Sequence, residues 1–531
     1  MRGCLKRSRR ICFHSAERAE GAALKAKVLM VQGTGSSVGK SMLVAALCRI
    51  FRQEDYSVAP FKAQNMALNS FATPDGAEIG RAQAAQAEAA GVLPSVDMNP
   101  VLLKPEVDYR SQLVVMGRPV GTLESTEFGD RKELLWEVVT SALDRLRSEY
   151  EIVVIEGAGS PAEINLRQGD IVNMEVALYA SSPVLLVGDI DRGGVFASLW
   201  GTVSLLDARE RQLVKGMVIN KFRGDVSLLA PGLTKLEELT GAPVLGVVPY
   251  FRDIYLPEED SPASGNVAGP GTGEALLDIA VVALPHIANF DDFDPLKREP
   301  GVEVRYVRSA VEMGTPDLII LPGTKTTVAD LQHIRENGIA DLVVSHARAG
   351  VAIIGICGGY QMLGQTIADP YGVESGQAAT SGLALLPVDT TFVAEKQTHQ
   401  VSGWVSSGIG LLEGSEGVHL EGYEIHMGSS KTGRNSEGRI PFQLSLRSGM
   451  AVEAGDGHIG VDGWTLGTYI HGLFQNAELR QNILHRLAER KGVSLPLGDG
   501  AFSQSREYDK LAYLIRESLD MRRLRRIVGL G

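Results

Sequence analysis

The stretch KVLMVQGTGSSVGKS, residues 27–41, decides the fold of the first half of the chain. It begins with an apolar run, KVLMVQG, that is typical of a buried β-strand. The segment SMLVAALCRIFRQ, residues 41–53, follows with the spacing of an amphipathic helix. A strand that passes through a short glycine- and serine-rich turn into a helix predicts the first βα step of a parallel α/β sheet.

The turn itself predicts a phosphate-binding loop. Gly39, Lys40 and Ser41 fit the usual pattern GxxxxGK[ST], whereas Thr34 occupies its first glycine position and Gly33 lies one residue earlier. Small residues still let backbone N–H groups surround a phosphate at the start of the helix. We expect the lysine to reach the outer phosphates of ATP and the serine to hold Mg²⁺. The alternative is a plain turn before a helix.

Further strand-like runs extend the sheet, and their ends supply more candidate residues. The runs are EIVVIEGAG (151–159), SPVLLVGDID (182–191), KGMVINKF (215–222) and GAPVLGVVPY (241–250). Ligands of parallel sheets bind at the carboxyl ends of the strands. We therefore expect Glu156 to be a second Mg²⁺ contact, with a solvated turn acid as the alternative, and Asn220 and Lys221 to contact the nucleotide base.

A second α/β series follows a linker. The segment PEEDSPASGNVAGPGTGE, residues 257–274, has almost nothing to bury. Strand-like runs then return as LLDIAVVALPH (276–286), DLIILPGTK (317–325) and GVAIIGICGG (350–359). We predict a P-loop domain over 28–256, a second domain over 275–495 and a helical tail over 496–531. The basic residues 1–27 are expected to be disordered, with a transit peptide or a misassigned start codon as alternatives.

The second domain contains a cysteine in a reactive setting. Gly355, Cys357 and Gly359 form G-x-C-x-G between a strand and a helix, which is the layout of a nucleophile elbow with Cys in place of Ser. The helix that follows stabilises a thiolate. We expect the N–H of Gly358 and the turn at Gly323 to form an oxyanion hole. A buried, inert cysteine describes Cys48, inside its helix, better.

A thiolate nucleophile needs a base, and two histidines compete for that role. His471 in GTYIHGLF (467–474) follows a short β-like run and precedes a glycine, as expected at the end of a strand. His426 lies in GYEIHMG (422–428). We favour His471.

Bulk properties limit the classes of partner. The 531 residues have a formal net charge of -12 and no concentrated basic face, which argues against nucleic acid. The four cysteines form no CxxC pair, so we expect neither zinc nor disulfides and place the chain in a reducing cytoplasm. No run of about 18 apolar residues predicts a membrane span. Nothing in the sequence decides the oligomeric state.

Taken together, these motifs resemble the cobyric acid synthase family of glutamine-dependent amidotransferases from about Val28 onward. The motifs that carry the resemblance are QGTGSSVGKS, PFKAQNMALNS, NPVLLKP, EGAGSPAEINL, DIDRGGVFAS, INKFRGD, LPHIANFDDFDPL, ICGGYQMLG, GYEIHMG and GTYIHGLF. The resemblance implies a dethiobiotin-synthetase-like P-loop domain joined to a class I glutamine amidotransferase domain.

The resemblance also implies chemistry and further site residues. The expected reaction is amidation of the b, d, e and g carboxylates of adenosylcobyrinic acid a,c-diamide with ATP and glutamine. By resemblance, Glu78 is a further Mg²⁺ ligand, and Asp170 steers the substrate or an intermediate. Many class I enzymes have a Glu two residues after the His, but here that position is Leu473. The group that orients His471 is therefore left open between a backbone carbonyl and an acid elsewhere.

Two other functions compete with this interpretation. Cobyrinic acid a,c-diamide synthase shares the domain plan and the chemistry, although PFKAQNMALNS and LPHIANFDDFDPL resemble the cobyric acid enzyme. A partitioning-type P-loop ATPase acts as a switch and would have no use for the elbow at Cys357.

Overall fold

A computed structural model describes residues 26–105, 110–124, 132–251, 253–256, 275–433, 439–496 and 503–530. Nearly all of the predicted N-terminal extension and the whole predicted linker lie outside these described residues. Within them, no helix combines the length and the apolar character that crossing a membrane requires.

Strands and helices alternate through most of the chain. The helices are α1 (Lys40–Gln53), α2 (Arg81–Ala90), α3 (Lys132–Glu149), α4 (Met174–Ala180), α5 (Val195–Leu205), α6 (Ala208–Arg211), α7 (Ala230–Thr240), α8 (Thr327–Glu336), α9 (Ile339–Arg348), α10 (Gly358–Leu363), α11 (Ala477–Lys491), α12 (Gln504–Ser518) and α13 (Met521–Val528). The strands of the first half are β1 (Lys27–Gly33), β2 (Val58–Phe61), β3 (Gln64–Met66), β4 (Ser70–Ala72), β5 (Glu78–Gly80), β6 (Val101–Pro105), β7 (Arg110–Val115), β8 (Arg118–Glu124), β9 (Ile152–Glu156), β10 (Val184–Asp189), β11 (Val214–Phe222) and β12 (Val244–Pro249). Those of the second half are β13 (Leu277–Val282), β14 (Val302–Val307), β15 (Leu318–Leu321), β16 (Ala352–Ile356), β17 (Thr366–Ala368), β18 (Ala379–Ser381), β19 (Val388–Val405), β20 (His419–Thr432), β21 (Phe442–Arg447), β22 (Met450–Asp456), β23 (His458–Ile459) and β24 (Thr465–Thr468).

The first half is built on a parallel sheet, as the sequence predicts. Its strand order is β12-β11-β10-β1-β9-β2, and every neighbouring pair is parallel. The helix α1 shares one buried cluster with the sheet, in which Leu43, Leu47 and Phe51 join Val31 and Val154. The amphipathic segment after the phosphate loop therefore covers one face of the sheet.

The second half has a parallel sheet of its own and a large hairpin. The sheet order is β14-β13-β15-β16-β24-β23, with only the β23–β24 pair antiparallel. The 18-residue strand β19 pairs antiparallel with the 14-residue strand β20. These two sheets confirm the predicted α/β fold class, whereas the hairpin has no counterpart in the sequence prediction.

The C-terminal helices return to the first sheet. Tyr508, Leu511 and Ile515 of α12 belong to the same buried cluster as α1, and the Asp520 N–H donates to the Leu245 carbonyl at 2.8 Å. The predicted helical tail is therefore part of the packing of the P-loop half.

The packing of α12 generates a stability prediction. We expect Leu511→Ala, whose side chain is fully buried, to lower the free energy of unfolding by about 2–5 kcal/mol, because it removes buried methyl groups and leaves a cavity. Tyr513→Ala, on the exposed side of the same helix, should change it by less than about 0.5 kcal/mol. Urea titration of both variants measures the difference. Equal effects would contradict the packing of α12 on the first half.

Candidate active site

Cys357 occupies a strained turn between β16 and α10. Its φ is +51°, which is an uncommon value for a residue with a side chain. A Cβ at Gly359 would collide with the Leu321 carbonyl oxygen, and one at Gly355 would lie 2.6 Å from Leu363 Cδ1. Glycine is therefore needed on both sides of the cysteine. The strand–turn–helix around Cys357 has the arrangement that G-x-C-x-G predicts.

His471 connects Cys357 to a buried aspartate. The Nδ1 atom of His471 lies 2.7 Å from Asp292 Oδ2, and both side chains are about 2% exposed. The other carboxylate oxygen, Oδ1, accepts from the Gly472 N–H at 2.7 Å. Cys357 lies within hydrogen-bonding reach of the same imidazole. The acid that orients His471, which the sequence left open, is thus Asp292 in this structure.

The environment of His471 favours its protonated form. Burial lowers the pKa of this imidazole, but the Asp292 carboxylate and the Cys357 thiol outweigh burial and raise the pKa to about 10. A histidine that holds a proton so firmly can stabilise a neighbouring thiolate and later protonate a leaving amine.

His426, the competing histidine, has a different setting in the same cavity. Its Nδ1 lies 2.7 Å from the Gly428 carbonyl oxygen, and its ring stacks on Tyr469 at 3.8 Å between centroids. Burial lowers the pKa of His426 to about 3, so the ring is neutral. Its nearest acid, Glu424, is 4.0 Å away. The structure therefore favours His471 as the base.

The two turns expected to form an oxyanion hole lie beside Cys357 and His471. A Cβ at Gly323 would lie 2.8 Å from His471 Cε1, and one at Gly358 would lie 3.2 Å from the Thr324 backbone nitrogen. Gly358 is the first residue of α10, where helix geometry leaves the N–H without an intrahelical partner. The oxyanion role of these glycines stays a prediction that the close packing supports.

The phosphate loop lies at the carboxyl end of β1, and two side chains of β11 hold its backbone by hydrogen bonds. Gly39 has a φ of +100°, and a Cβ there would collide with the Asn220 side chain. The Nδ2 atom of Asn220 donates to the Val38 carbonyl at 2.8 Å, and Lys221 Nζ donates to the Ser37 carbonyl at 2.7 Å. Asn220 and Lys221 therefore hold the loop backbone, a role that the sequence analysis missed.

Lys40 and Ser41 point toward the end of β9. The ammonium of Lys40 donates to the carbonyls of Gly35 at 2.7 Å and Gly159 at 3.1 Å. The Ser41 hydroxyl donates to Glu156 Oε1 at 2.7 Å. The loop lysine and two of the three predicted metal ligands are thus brought together near the carboxyl end of β9.

The charge of Glu156 suits a cation site. Burial opposes ionisation, but Lys62 at 2.9 Å and a hydrogen bond from Gln86 at 2.6 Å hold the pKa of Glu156 below its ordinary value. Mg²⁺ is usually held by one or two protein oxygens together with phosphates and water. The Ser41 hydroxyl and the Glu156 carboxylate fit that pattern.

Glu78 differs from the Mg²⁺ contact that the resemblance implies. Its carboxylate accepts from Lys104 at 2.7 Å and from Lys396 of β19. Burial opposes its ionisation, but the two ammonium groups hold the pKa of Glu78 well below the usual range. The structure thus places Glu78 in an ion-pair cluster that joins β5 to the second half of the chain. Its role as a Mg²⁺ ligand stays a prediction.

Asp170 supports the loop next to the phosphate site. Its Oδ1 accepts from the N–H groups of Val172 at 2.8 Å and Asn173 at 2.9 Å. The Asn173 side chain in turn bonds both backbone groups of Ala158, at 2.7 and 3.1 Å. Asp170 therefore caps the turn before α4, and its role toward substrate stays a prediction.

The two halves meet directly behind His471. Asn289 exchanges hydrogen bonds with Asn69 and Ser70, at 2.6 and 3.0 Å. Arg81, the first residue of α2, donates to Asp291 at 2.8 Å, and both side chains are buried. Asp292, the acid that orients His471, therefore directly follows Asp291, which Arg81 of the first half holds in place.

An aromatic contact also crosses this interface. Phe71 of β4 packs on Tyr423 of β20 with ring centroids 5.0 Å apart. Tyr423 stacks on His471 at 5.3 Å. The His471 imidazole is thus confined between Asp292 and the Tyr423 ring, which Phe71 of the first half contacts.

Comparison with known proteins assigns both halves. Residues 29–263 match the CobQ/CobB/MinD/ParA nucleotide binding domain, and residues 278–479 match the CobB/CobQ-like glutamine amidotransferase domain. Proteins named cobyric acid synthase are similar over nearly the whole chain. The one from Dehalococcoides mccartyi (strain CBDB1) is 51% identical over 506 residues, which are 95% of this chain and 99% of that protein. The one from Sorangium cellulosum is 52% identical over 519 residues, 96% of this chain and 99% of that protein. The one from Moorella thermoacetica is 51% identical over 510 residues, which are 95% of this chain and 98% of that protein.

The Asp292–His471 pair generates a pH prediction. Because Asp292 raises the pKa of His471 to about 10, Asp292→Asn leaves burial as the main influence, and burial lowers that pKa. The imidazolium then loses its proton at lower pH, so the alkaline limb of glutamine hydrolysis should move to lower pH. The rate should also fall about 10²–10⁴-fold.

The matched control for this prediction is Asp294→Asn, two residues away and paired with Lys297. It should keep the position of the alkaline limb. Rate–pH profiles of glutamate release compare the two variants. An unmoved limb in Asp292→Asn would show that Asp292 does not set the protonation of His471.

Proposed function

The chain belongs to the cobyric acid synthase family, and we propose that it amidates the b, d, e and g carboxylates of adenosylcobyrinic acid a,c-diamide with ATP and glutamine. The observation that carries the proposal is the presence of two complementary sites in one chain. One is the Cys357–His471–Asp292 arrangement, and the other is the phosphate loop with Ser41 beside Glu156.

The first half-reaction releases ammonia from glutamine. The Cys357 thiolate attacks the carboxamide carbon, and the N–H of Gly358 together with the turn at Gly323 stabilises the tetrahedral oxyanion. His471 then gives its proton to the departing amine, while Asp292 fixes the orientation of the ring. Water hydrolyses the resulting thioester to glutamate and restores the thiolate.

The second half-reaction activates a carboxylate. A corrinoid carboxylate oxygen attacks the γ-phosphorus of ATP, ADP leaves, and ammonia then displaces phosphate from the acyl phosphate. Lys40 moves from the loop carbonyls to the transferring phosphoryl group and offsets its charge. Ser41 and Glu156 would hold Mg²⁺, which when bound neutralises phosphate charge.

The buried amide of Asn220 supports a contact to adenine. Its nitrogen braces the loop, whereas its oxygen is buried and has no hydrogen-bond partner among the described residues. A buried acceptor without a partner costs free energy until a donor reaches it. The exocyclic amino group of adenine is such a donor.

The two competing functions explain fewer of the observed sites and sequence matches. A partitioning-type ATPase would explain the phosphate loop but not the elbow or the match over 278–479. Cobyrinic acid a,c-diamide synthase would use both sites, but the three relatives compared above, which cover 95% or 96% of this chain, are named cobyric acid synthase. We place the reaction in the cytoplasm, because the Cys357 thiol must stay reduced.

The direct test is incubation with the diamide, ATP–Mg²⁺ and glutamine, followed by mass spectrometry of the corrinoid. We expect Lys40→Ala to abolish amidation with glutamine or ammonium, because the variant lacks the ammonium group proposed to offset the charge of the transferring phosphoryl group, while glutamine hydrolysis survives at least in part. Lys235→Ala, an exposed lysine of α7, is the matched control and should keep full activity. Near-normal amidation by Lys40→Ala would overturn the assignment of the phosphate loop.

A further inference from the structure

The loop after β9 presents two apolar side chains to solvent. Ile164 is 62% exposed and Leu166 is 59% exposed. A single exposed apolar residue is ordinary on a protein surface. These two belong to a loop that leaves the carboxyl end of a central strand, which is where ligands of parallel sheets bind. Ile164 and Leu166, here called the apolar pair, are therefore candidates for contact with a substrate.

Polar contacts hold the loop that carries the apolar pair. Asp170 caps the turn at the end of the loop. Arg167, the residue after Leu166, pairs with Glu210 of α6. The Leu166 N–H donates to the Glu163 carbonyl at 2.9 Å. The backbone is thus fixed without the apolar pair, and both side chains remain available to a ligand.

A short series of contacts connects the apolar pair to Lys40 of the phosphate loop. The Lys40 ammonium donates to the Gly159 carbonyl at 3.1 Å. The Glu163 carboxylate folds back on that segment and accepts from the Ser160 N–H at 3.3 Å. A Cβ at Gly159 would lie 2.9 Å from the same carboxylate oxygen. Because Ile164 directly follows Glu163, the apolar pair borders the segment that Lys40 contacts.

The chemistry of the proposed substrate requires a binding surface at this place. Each carboxylate to be amidated ends an acetate or propionate arm on the rim of the corrin macrocycle, so it lies roughly 3–5 Å from the ring, from C–C bonds near 1.5 Å. When one of these carboxylates reaches the γ-phosphate of ATP, the macrocycle must therefore lie directly beside the phosphate site. Its rim carries methyl groups between the arms, and their burial against aliphatic side chains stabilises a complex.

Amidation of four different carboxylates favours an apolar contact over a directional one. The b, d, e and g arms lie at different points of the rim, so the macrocycle has to bind in a different orientation for each amidation. A hydrogen bond to one side group would favour one of these orientations. The hydrophobic effect is non-directional, so two aliphatic side chains can contact the rim in every orientation.

We propose that Ile164 and Leu166 bind the methyl-bearing rim of the corrin macrocycle and support it in all four orientations, an inference that rests on the proposed amidation of the corrinoid. Both are binding residues for the acceptor substrate. Neither takes part in phosphoryl transfer or in glutamine hydrolysis, so their replacement should weaken corrinoid binding while the chemical steps persist.

The first test measures corrinoid binding by the double variant Ile164→Ser/Leu166→Ser. In equilibrium dialysis, the dissociation constant of the diamide should rise about 10–100-fold, because two apolar contacts are lost. In the amidation assay, KM for the diamide should rise by a similar factor while kcat changes little, as expected for a contact made equally before and during the reaction. An unchanged dissociation constant would overturn the inference.

Controls separate apolar contact from damage to the loop. Ile164→Val/Leu166→Met keeps the apolar character and should keep most of the affinity. Val311→Ser, at a side chain of the second half that is 94% exposed, should behave as wild type. KM for ATP should stay unchanged in the serine double variant, although Lys40 contacts the same loop. An equal rise in KM for ATP would assign the effect to a distorted phosphate site and overturn the inference.

A second measurement tests the four orientations. Isolated intermediates that already carry one, two or three of the new amides are supplied as substrates, and mass spectrometry follows the next amidation. The serine double variant should raise KM for each intermediate by a similar factor, because the apolar pair contacts the rim in every orientation. An effect on one amidation alone would show that the pair serves a single orientation, which contradicts the inference.

The wild-type protein separates failure of the inference from failure of the proposed function. If wild type amidates the diamide and the serine double variant binds it normally, only the inference fails. If wild type binds ATP and hydrolyses glutamine but neither binds nor amidates the diamide, the proposed function fails, and the inference fails with it.

Discussion

Residues 289–292 serve both halves of the molecule, and the active geometry depends on that sharing. Asn289 and Asp291 are held by Asn69, Ser70 and Arg81 of the P-loop half, while the next side chain, Asp292, orients His471. Removing Arg81 would leave the Asp291 carboxylate buried without its partner, which is a large cost for a buried pair. The position of the histidine base is therefore fixed by contact between the domains as much as by its own sheet.

One helix connects the two chemical sites. Arg81 begins α2 and bonds Asp291, while Gln86 in the same helix bonds Glu156 and the Ser41 carbonyl. A ten-residue helix thus contacts Asp291, the neighbour of Asp292, at one end and the phosphate site further along. Ser70 and Lys104 of the P-loop half also line the cavity that holds Cys357, so both halves build the cavity in which we propose that ammonia is released.

Local patterns predicted the fold correctly and indicated the candidate reacting groups, but they did not indicate side chains that contact those groups from distant parts of the sequence. The strand–turn–helix signals at Lys40 and Cys357 are contiguous, so the sequence alone indicates both sheets. Asp292 lies 179 residues from His471, so no spacing rule connects them. The motif LPHIANFDDFDPL, which contains Asp292, contributed only to the family resemblance. The lysine partners of Glu78 come from β6 and the unpredicted hairpin strand β19, so no local pattern indicated them, and its Mg²⁺ role, implied by resemblance, stays a prediction. The sequence also did not predict that α12 packs on α1, because the two helices are far apart in the chain.

We propose that Cys357 only liberates ammonia while the P-loop half activates and amidates the corrinoid. The most direct test is amide formation by Cys357→Ser, followed by mass spectrometry with glutamine and, separately, with ammonium at a pH that gives free NH₃. A serine is nearly isosteric but a much weaker nucleophile at this pH. We expect no amidation with glutamine and retained amidation with ammonia. Full activity with glutamine, or loss of both activities in a variant that circular dichroism shows to be folded, would contradict it.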